Sequence, residues 1–195
     1  MADLLVRCLV VAHVPKSLVP VSDGDLVLRA ASEAELLDLV AVFGDPLIVR
    51  WNPAPSYDDV EAAARTWINQ RNDWSNGEHA SWVLGGTDGA LLGSVSLHHI
   101  DIDHENAEVG YWIAPAVRGR GLAARGVEMA ARFAFTTLGF RRLYLYHSVE
   151  NPASCRVAER AGFALEDTTR ESYRYPDGRF HDEHLHGRLA TDQPS

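Results

Sequence analysis

Residues 108–123 have the side-chain types that suit binding of a phosphorylated ligand. The segment reads Glu-Val-Gly-Tyr-Trp-Ile-Ala-Pro-Ala-Val-Arg-Gly-Arg-Gly-Leu-Ala, a strand-like run and then a loop that leads directly into a helix. Glycines allow the backbone to approach an anion closely, and the first amides of a helix lack an intrahelical acceptor. Arg118, Arg120 and the helix dipole add positive charge at the same point. The segment therefore predicts a pyrophosphate-binding loop, with a solvated arginine turn as the simpler alternative.

This loop differs from two common phosphate-binding motifs, because it has no Gly-Lys-Ser/Thr ending and no Gly-x-Gly-x-x-Gly spacing. Arg118-Gly-Arg-Gly-Leu-Ala123 instead resembles the Arg/Gln-x-x-Gly-x-Gly/Ala motif of the GCN5-related N-acetyltransferase (GNAT) superfamily at all three defining positions. Residues 151–163, which begin Asn-Pro-Ala-Ser and end Glu-Arg-Ala-Gly-Phe, resemble that family's second coenzyme A motif. Two motifs in the right order are far more specific than either alone.

Three further segments are similar to the RimJ/RimL-like branch, whose named members acetylate protein N-termini. They are Trp51-Asn-Pro-Ala-Pro in the early region, Ala107-Glu-Val-Gly-Tyr-Trp-Ile113 in the central strand and Tyr175-Pro-Asp-Gly-Arg-Phe-His-Asp182 in a closing hairpin. The resemblance covers about residues 26–190. It implies an α/β GNAT fold, in which a twisted mixed sheet is splayed mid-way and carries helices on both faces.

The resemblance also implies an acyl-CoA co-substrate, most simply acetyl-CoA, and a set of residues that hold it. Arg118 and the backbone of the loop would bind the pyrophosphate through Gly119, Arg120, Gly121, Leu122 and Ala123. Asn151 and Ser154 would lie along the pantetheine, and a backbone amide near Ile113 would polarise the thioester carbonyl. Direct attack by an amine in a ternary complex is expected, since no activated nucleophilic cysteine is evident.

Aminolysis of a thioester requires a proton acceptor for the amine and, for the departing thiolate, a proton donor. Glu108 is the candidate base, acting through water, and a structural carboxylate is the alternative. Many GNAT enzymes carry a tyrosine acid seven residues after the motif asparagine, where this chain has Ala158. Ser154 is therefore the candidate acid, as the RimL-like branch suggests, with helix capping as its alternative role.

The acceptor side is less well specified. Arg174 precedes the hairpin Tyr175 where RimL-like proteins carry a glutamate, so it would bind a carboxylate on the acceptor or on a donor such as succinyl-CoA. Aromatic side chains would line an acceptor cleft or belong to the core, and Trp51 and Tyr111 are the best placed for the cleft. The other members of this aromatic set are Tyr57, Trp67, Trp82 and Trp112.

No metal is expected. Neighbouring residues of a strand point to opposite faces, which argues against a shared metal at His98 and His99. Solvated hairpin ends are expected for that pair and for the cluster of His181, His184 and His186. Cys155 is expected to be an inert buried thiol.

The pattern of elements is β-α-α-β-β-β-α-β-α-β-β. Strands are predicted at 26–29, 80–85, 91–100, 105–113, 142–149, 164–170 and 180–189. Helices are predicted from a Ser32/Glu35 capping box to residue 43, and at 58–70, 121–138 and 152–161. A proline-punctuated loop is expected at 50–57.

Composition sets the remaining limits. The 195 residues carry a formal net charge of −9, which argues against a nucleic-acid or membrane partner and suits a cationic acceptor. Two cysteines, Cys8 and Cys155, without metal-ligand spacing are typical of a reduced, cytoplasmic protein.

We expect an extension at 1–24, a GNAT domain at 25–190 and a tail at 191–195. Three explanations of the extension stay open: an added edge strand, a contact in a homodimer, or an early start codon. A non-catalytic CoA sensor and an interaction protein stay open as rival functions.

Overall fold

The computed structural model describes residues 12–52 and 59–192. Cys8, Tyr57 and the first half of the predicted extension lie outside these residues, as do parts of the predicted loop at 50–57 and of the C-terminal tail. Within the described part of the chain, no helix is long and apolar enough to cross a membrane.

Eight strands form one mixed sheet in the order β1-β2-β3-β4-β5-β6-β8-β7. Only β5 and β6 run parallel among the described strands, because the chain between them crosses over through a helix. The strands are β1 (Val21–Asp23), β2 (Leu26–Arg29), β3 (Ala80–Gly86), β4 (Leu91–Asp101), β5 (Asn106–Ile113), β6 (Arg142–Ser148), β7 (Ala164–Arg174) and β8 (Phe180–Leu189).

Within residues 12–52 and 59–192, five α-helices accompany the sheet: α1 (Leu36–Phe43), α2 (Pro46–Trp51), α3 (Val60–Asn72), α4 (Leu122–Phe133) and α5 (Pro152–Arg160). Helix α4 continues as a π-helical turn over Ala134–Leu138. Helices α2 and α5 begin in the same way, with an Asx residue as the N-cap and proline in the first turn. The Asp45 carboxylate accepts hydrogen bonds from the backbone amides of Leu47 and Ile48, which stabilises the start of α2.

The helices cover both faces of the sheet, as predicted. On one face, α4 and α5 pack over a core that includes Val95, Val109 and Leu145. On the other face, α1 and α3 pack over a smaller cluster that includes Val83 and Trp112. Successive strand residues alternate between the faces, so Tyr111 belongs to the α4/α5 face and Trp112 to the α1/α3 face.

Strands β5 and β6 separate part-way along their length. Their pairing covers only residues 106–108 of β5, and Glu108 opposite Tyr144 is the last pair. Strand β4 continues to pair with β5 as far as Ile113, and β8 continues to pair with β6 as far as Ser148. Residues 109–113 and 145–148 therefore line an opening that we call the strand gap. The predicted mid-way splay of the sheet is confirmed.

The described part of the predicted extension packs onto the domain. Strand β1 pairs with β2 at the edge of the sheet, and Ala12 is buried in the main core. The indole Nε1 of the buried Trp82 donates to the carbonyl of Val19 at 2.8 Å. These contacts make residues 12–23 part of the folded unit.

Two local predictions differ from the structure in detail. The predicted loop at 50–57 begins inside α2, which was missed because its apolar residues are too few to show a helical period. The segment that starts at Ser32 opens with a short 3-10 turn before α1. The Ser32 amide still donates to the Glu35 carboxylate at 2.7 Å, as a capping box requires.

Candidate active site

A pair of hydroxyl groups lies at the strand gap on the α4/α5 face. The Tyr111 and Ser154 hydroxyl oxygens, from β5 and α5, are 2.5 Å apart. Asn151 caps α5, and its side-chain oxygen accepts the amide of Ser154 at 3.3 Å. The cap therefore positions Ser154, whose own hydroxyl is directed to Tyr111. Burial raises the pKa of Tyr111 to about 12, so its phenol stays protonated.

The Tyr111–Ser154 pair supplies a phenol next to α5, which carries no tyrosine of its own. Ala158 is fully buried and carries no polar group. Tyr111, interpreted from the sequence as an acceptor-binding aromatic, brings a phenol to the same helix from the facing strand. The alternation of β5 indicated which face it occupies, but the approach of β5 to α5 is a tertiary contact that the sequence did not show.

The predicted pyrophosphate-binding loop lies at the start of α4. Gly119 and Gly121 have φ of +78° and +76°, a left-handed conformation that glycine adopts without strain. No atom lies within 4 Å of the position of a Cβ at either residue, so the space in front of the loop is open. The first helical hydrogen bond runs from the amide of Arg125 to the carbonyl of Gly121, which leaves the preceding amides of Leu122 and Ala123 free of intrahelical acceptors. This geometry suits a pyrophosphate group.

The two arginines of the loop have different surroundings. Arg118 donates to the carboxylate of Asp45 at 2.5 Å and to the carbonyl of Ile113 at 3.3 Å, which ties the loop to α2 and to the end of β5. The hydrogen bond from Arg118 lowers the pKa of Asp45, although burial acts in the opposite direction. Arg120 is exposed, and its only described contact is a long one to the carbonyl of Ala116. Arg118 is thus placed to shape the loop, and Arg120 to meet an anion.

Glu108 lies on the α1/α3 face, where β5 and β6 part. Its carboxylate is 2.9 Å from Nδ1 of His99 and 3.5 Å from Nε2 of His98. Burial raises the pKa of Glu108, but the hydrogen bonds and charges of the two histidines outweigh this and lower it overall. The expectation that His98 and His99 point apart was wrong, because His99 has φ of +47° and turns at a break in the β4–β5 register.

A second carboxylate on that face was missed in the sequence. Glu183 on β8 lies opposite Ser148 of β6 and is 8% exposed. It accepts the hydroxyl protons of Tyr175 and Ser172, both at 2.9 Å. Burial and Glu183 raise the pKa of Tyr175. The alternation of β8 puts Glu183 on the face opposite to His184 and His186, and this was the available signal.

The tryptophans named as candidates from the sequence fall into two groups: Trp51 packs on the closing hairpin, and the others lie in the core. Trp51 packs edge-to-face against Tyr175 at 5.8 Å between ring centroids, and the Arg50 guanidinium lies over its ring. Trp67 and Trp112 contact each other within the α1/α3 core, while Trp82 is buried against Trp74. Trp51 thus packs from the end of α2 against the closing hairpin.

Arg174 has no described contact with this site. Its Nε donates to the carbonyl of Gly178 in its own hairpin turn, and the side chain is exposed.

The histidines of β8 are not solvated, contrary to the sequence-based expectation. His181 and His186 are 4% and 0% exposed. His186 lies beside the buried His147, with 3.2 Å between their Nε2 atoms. His181 lies on the other face of β8, where its ring nitrogens contact the Ser148 hydroxyl and the Asp177 carboxylate.

Comparison with known proteins identifies the family. The family model described as "Acetyltransferase (GNAT) domain" matches residues 25–164. The chain belongs to the GNAT family. Among curated relatives of this GNAT protein, YdaF of Bacillus subtilis (strain 168) is 31% identical over 160 residues, 80% of this chain and 85% of YdaF. The spermidine N(1)-acetyltransferase of Vibrio cholerae is 28% identical over 82% of this chain and 90% of its own length.

Solved GNAT structures have the same fold. The Vibrio cholerae spermidine N-acetyltransferase in complex with CoA and spermine superposes with a TM-score of 0.75 at 25% identity, over 87% of this chain and 98% of that one. Mycobacterium smegmatis RimJ in complex with CoA-disulfide gives a TM-score of 0.79 at 21% identity, over 93% and 90%. This GNAT protein is RimJ/RimL-like, and it is an acetyl-CoA-dependent N-acetyltransferase that acts on an amine.

Proposed function

We propose that this enzyme acetylates a cationic primary amine that approaches from the α1/α3 face, while the thioester of acetyl-CoA is held on the α4/α5 face. The observation that carries the proposal is the division of polar groups between the two faces of the strand gap. Glu108 and Glu183 lie on one face, and the Tyr111–Ser154 pair lies on the other. A buried carboxylate, Glu183, and a partly buried one, Glu108, favour a positively charged acceptor.

The pairing of the strands supports the assignment of these faces. Glu108 lies opposite Tyr144 in the parallel pair, and Ser148 lies opposite Glu183, so these side chains share a face with Tyr146. Burial raises the pKa of Tyr146, and the charges of Glu108 and Glu183 raise it further. Tyr146 therefore lies in the field of both carboxylates, in the position where an ammonium group would be stabilised.

In the proposed reaction, the neutral amine attacks the thioester carbonyl, the C–S bond breaks and an amide forms. Glu108 accepts the amine proton through a water molecule, and His99 can pass it on to solvent. A backbone amide near Ile113 stabilises the oxyanion. Tyr111 and Ser154 deliver a proton to the CoA thiolate, whose conjugate acid has a pKa of about 8.5. A phenol held protonated next to a second hydroxyl suits this role.

CoA would bind through the backbone amides at the start of α4 and the exposed Arg120, with Arg118 shaping the loop through Asp45. The pantetheine would pass along the strand gap, beside Asn151. Two observations bear on the acceptor. The lowered pKa of Glu108 makes it a weak base, which suits an α-amine of pKa about 7.7–8.0. The pair of carboxylates suits a polyamine, the acceptor class in the name of the Vibrio cholerae relative.

The test is an acetylation assay with purified protein and a panel of acceptors. Peptides with a free N-terminus, the same peptides with a blocked N-terminus but a lysine, and spermidine are incubated with acetyl-CoA or succinyl-CoA. Mass spectrometry identifies the products. We expect acetylation of a free α-amine or of spermidine, and at least about a hundredfold loss of kcat/KM in Glu108→Gln.

Free thiol released without an acetylated amine, or equal rates with an uncharged amine, would contradict the proposed acceptor face. Preference for succinyl-CoA would contradict acetyl as the donor. Full activity of Glu108→Gln would remove Glu108 from the mechanism while leaving the family activity intact.

A further inference from the structure

Three imidazoles and one thiol converge between α5 and the sheet, outside the residues used above. His147 on β6 lies opposite His184 on β8, and His186 is two residues further along β8. Alternation places all three on the α4/α5 face, and Cys155 reaches them from α5. One donor atom from each of the four residues lies within 4.8 Å of the other three.

The hydrogen bond of His147 fixes the position of its proton. Nδ1 of His147 is 2.9 Å from the carbonyl of Ser148. A carbonyl oxygen only accepts, so this Nδ1 carries the hydrogen and Nε2 carries a lone pair. Nε2 of His186 lies 3.2 Å from that lone pair. When the hydrogen of His186 is on Nδ1, 3.5 Å from the carbonyl of Phe163, two lone pairs face each other and attract a shared cation.

A proton is the simpler cation, but it fits poorly. It would require one of the two rings to become an imidazolium in a buried place. The site already brings together three imidazoles, so a further positive charge on one of them is crowded by the others. His184 adds a second observation, because its Nδ1 is buried without a hydrogen-bond partner among the described residues. The cluster therefore holds a buried ring nitrogen whose bonding is not satisfied by the protein alone.

We infer that His147, His184, His186 and Cys155 form a binding site for a divalent transition metal of the zinc type. Imidazole and thiolate ligands suit such an ion. With Zn–N bonds of about 2.0–2.1 Å, a tetrahedral site separates two nitrogens by about 3.3 Å, which matches the spacing of the two Nε2 atoms. The remaining ligands need to move inward by about 1 Å. Each Nδ1 hydrogen bond to a carbonyl is the outer contact that metal-bound histidines usually make.

The metal would act as a structural link. Cys155 lies in the first turn of α5, next to Ser154 and close to the cap residue Asn151. Its thiol now lies 3.7 Å from the carboxylate of Glu159. Metal binding would displace the thiol proton and tie α5 to β6 and β8. With four protein ligands the site is closed, so it takes no part in the acyl transfer.

The test is a cobalt titration of the purified, reduced protein after removal of metals with a chelator. Co²⁺ serves as a spectroscopic probe for a zinc-type site. We expect one equivalent to bind, with visible d–d bands of tetrahedral cobalt and a near-ultraviolet thiolate-to-cobalt band, and Zn²⁺ to displace it. Cys155→Ser should lose the thiolate band while retaining d–d bands. His184→Asn should weaken cobalt binding at least about tenfold.

Two variants serve as matched controls. His104→Asn changes an exposed histidine paired with Asp101, and His99→Asn disrupts the cluster at Glu108. Both should bind cobalt as the parent protein does. Absence of bound cobalt in the parent protein, an unchanged spectrum in Cys155→Ser, or loss of binding in His99→Asn would each overturn the inference. The readout does not depend on acetyltransferase activity, so it stands apart from the proposed acceptor.

Discussion

Tyr111 and Ser154 lie 43 positions apart in the chain and share one short hydrogen bond. Ser154 is fixed by the Asn151 cap, and Tyr111 is fixed by the pairing of β5 with β4. Each hydroxyl is therefore held from its own element, and the proposed proton donor is the pair. The Arg118 guanidinium is likewise oriented by a distant residue, the Asp45 carboxylate at the start of α2.

Replacing Tyr111 by phenylalanine should lower kcat about 10- to 100-fold with little change in the KM for acetyl-CoA, because the phenol acts on the departing thiolate. Ser154→Ala should cause a similar loss. The double variant should lose little more than the more severe single one, since both hydroxyls serve one step. Tyr173→Phe, on the exposed face of β7, is the matched control. Additive losses in the double variant would show that the two hydroxyls act independently.

The pH dependence of kcat follows from the protonation state of Tyr111. With a pKa of about 12, Tyr111 stays protonated through neutral and mildly alkaline pH. The kcat should therefore show no decline from loss of this proton in that range. A descending limb that disappears in Tyr111→Phe would contradict the assignment.

Substitutions of Asp45 test whether its ion pair with Arg118 positions the predicted phosphate-binding loop. Asp45→Asn keeps a good N-cap for α2 but loses the ion pair with Arg118, so we expect a higher KM for acetyl-CoA and little change in stability. Asp45→Ala also loses the cap, which should cost about 1 kcal/mol more in the free energy of unfolding. Denaturant unfolding and initial-rate kinetics separate the two effects. An unchanged KM in both variants would rule out a positioning role.

The ion pair also gives a pH signature. The hydrogen bond from Arg118 lowers the pKa of Asp45 in the folded state, so its stabilisation is present above the unfolded pKa of about 3.9 and is lost as pH falls further. The difference in stability between the parent protein and Asp45→Asn should therefore shrink at acid pH.

At the scale of single elements, the amphipathic helix α4 begins directly after a glycine in the left-handed conformation. Gly121 has φ of +76°, and the buried side of α4 packs on β4 through Gly126 and Val127. The packing sets the direction of the helix axis, and the glycine sets the direction of the first amides. Both are needed for the amides to face the strand gap.

Gly121→Ala should lower the free energy of unfolding by about 1–2 kcal/mol, since an alanine is strained at this φ. Gly77 provides the control, because it has φ of +72° and equally open surroundings in the turn between α3 and β3, outside the predicted phosphate-binding loop. Gly77→Ala should lose similar stability, but only Gly121→Ala should raise the Kd for CoA, about tenfold or more. Calorimetric titration with CoA measures the difference. Equal CoA affinity in both variants would remove the loop from the binding site.

At the scale of the whole molecule, the sheet is completed by residues 12–23. Ala12, the Val19 carbonyl and β1 close the main core at the edge farthest from the strand gap. The amide of His13 donates to the carbonyl of Leu138, which ties this segment to the end of the α4 helical stretch. The segment therefore supports the scaffold rather than the chemistry.

A chain that begins at Val21 should be less stable than one that begins at Ala12. The indole of Trp82 would lose its acceptor, and a buried unpaired donor costs about 1–3 kcal/mol. In a domain of this size each kcal/mol corresponds to about 2–4 °C in Tm. Thermal unfolding of the two chains measures the change, and CoA binding should persist in both while folded. Equal Tm values would show that these contacts add nothing to stability.

The sequence by itself predicted the glycine turn at the start of α4, the order of the main elements and the family. These features are local: a glycine turn, a cap and a hydrophobic period are set by residues close together in the chain. It also indicated Glu108 and Ser154 as candidates through their place in two motifs. The structure confirms the fold and puts these residues on opposite faces of the strand gap, which leaves their roles as proposals.

Only the tertiary structure decided which distant groups meet. The pairing of Tyr111 with Ser154, the contact of Arg118 with Asp45 and the burial of Glu183 all join elements far apart in sequence. The backbone turn at His99 likewise reversed the expected direction of a side chain. Burial and long-range contacts depend on how helices pack across a sheet. Residue patterns within one element do not contain that information.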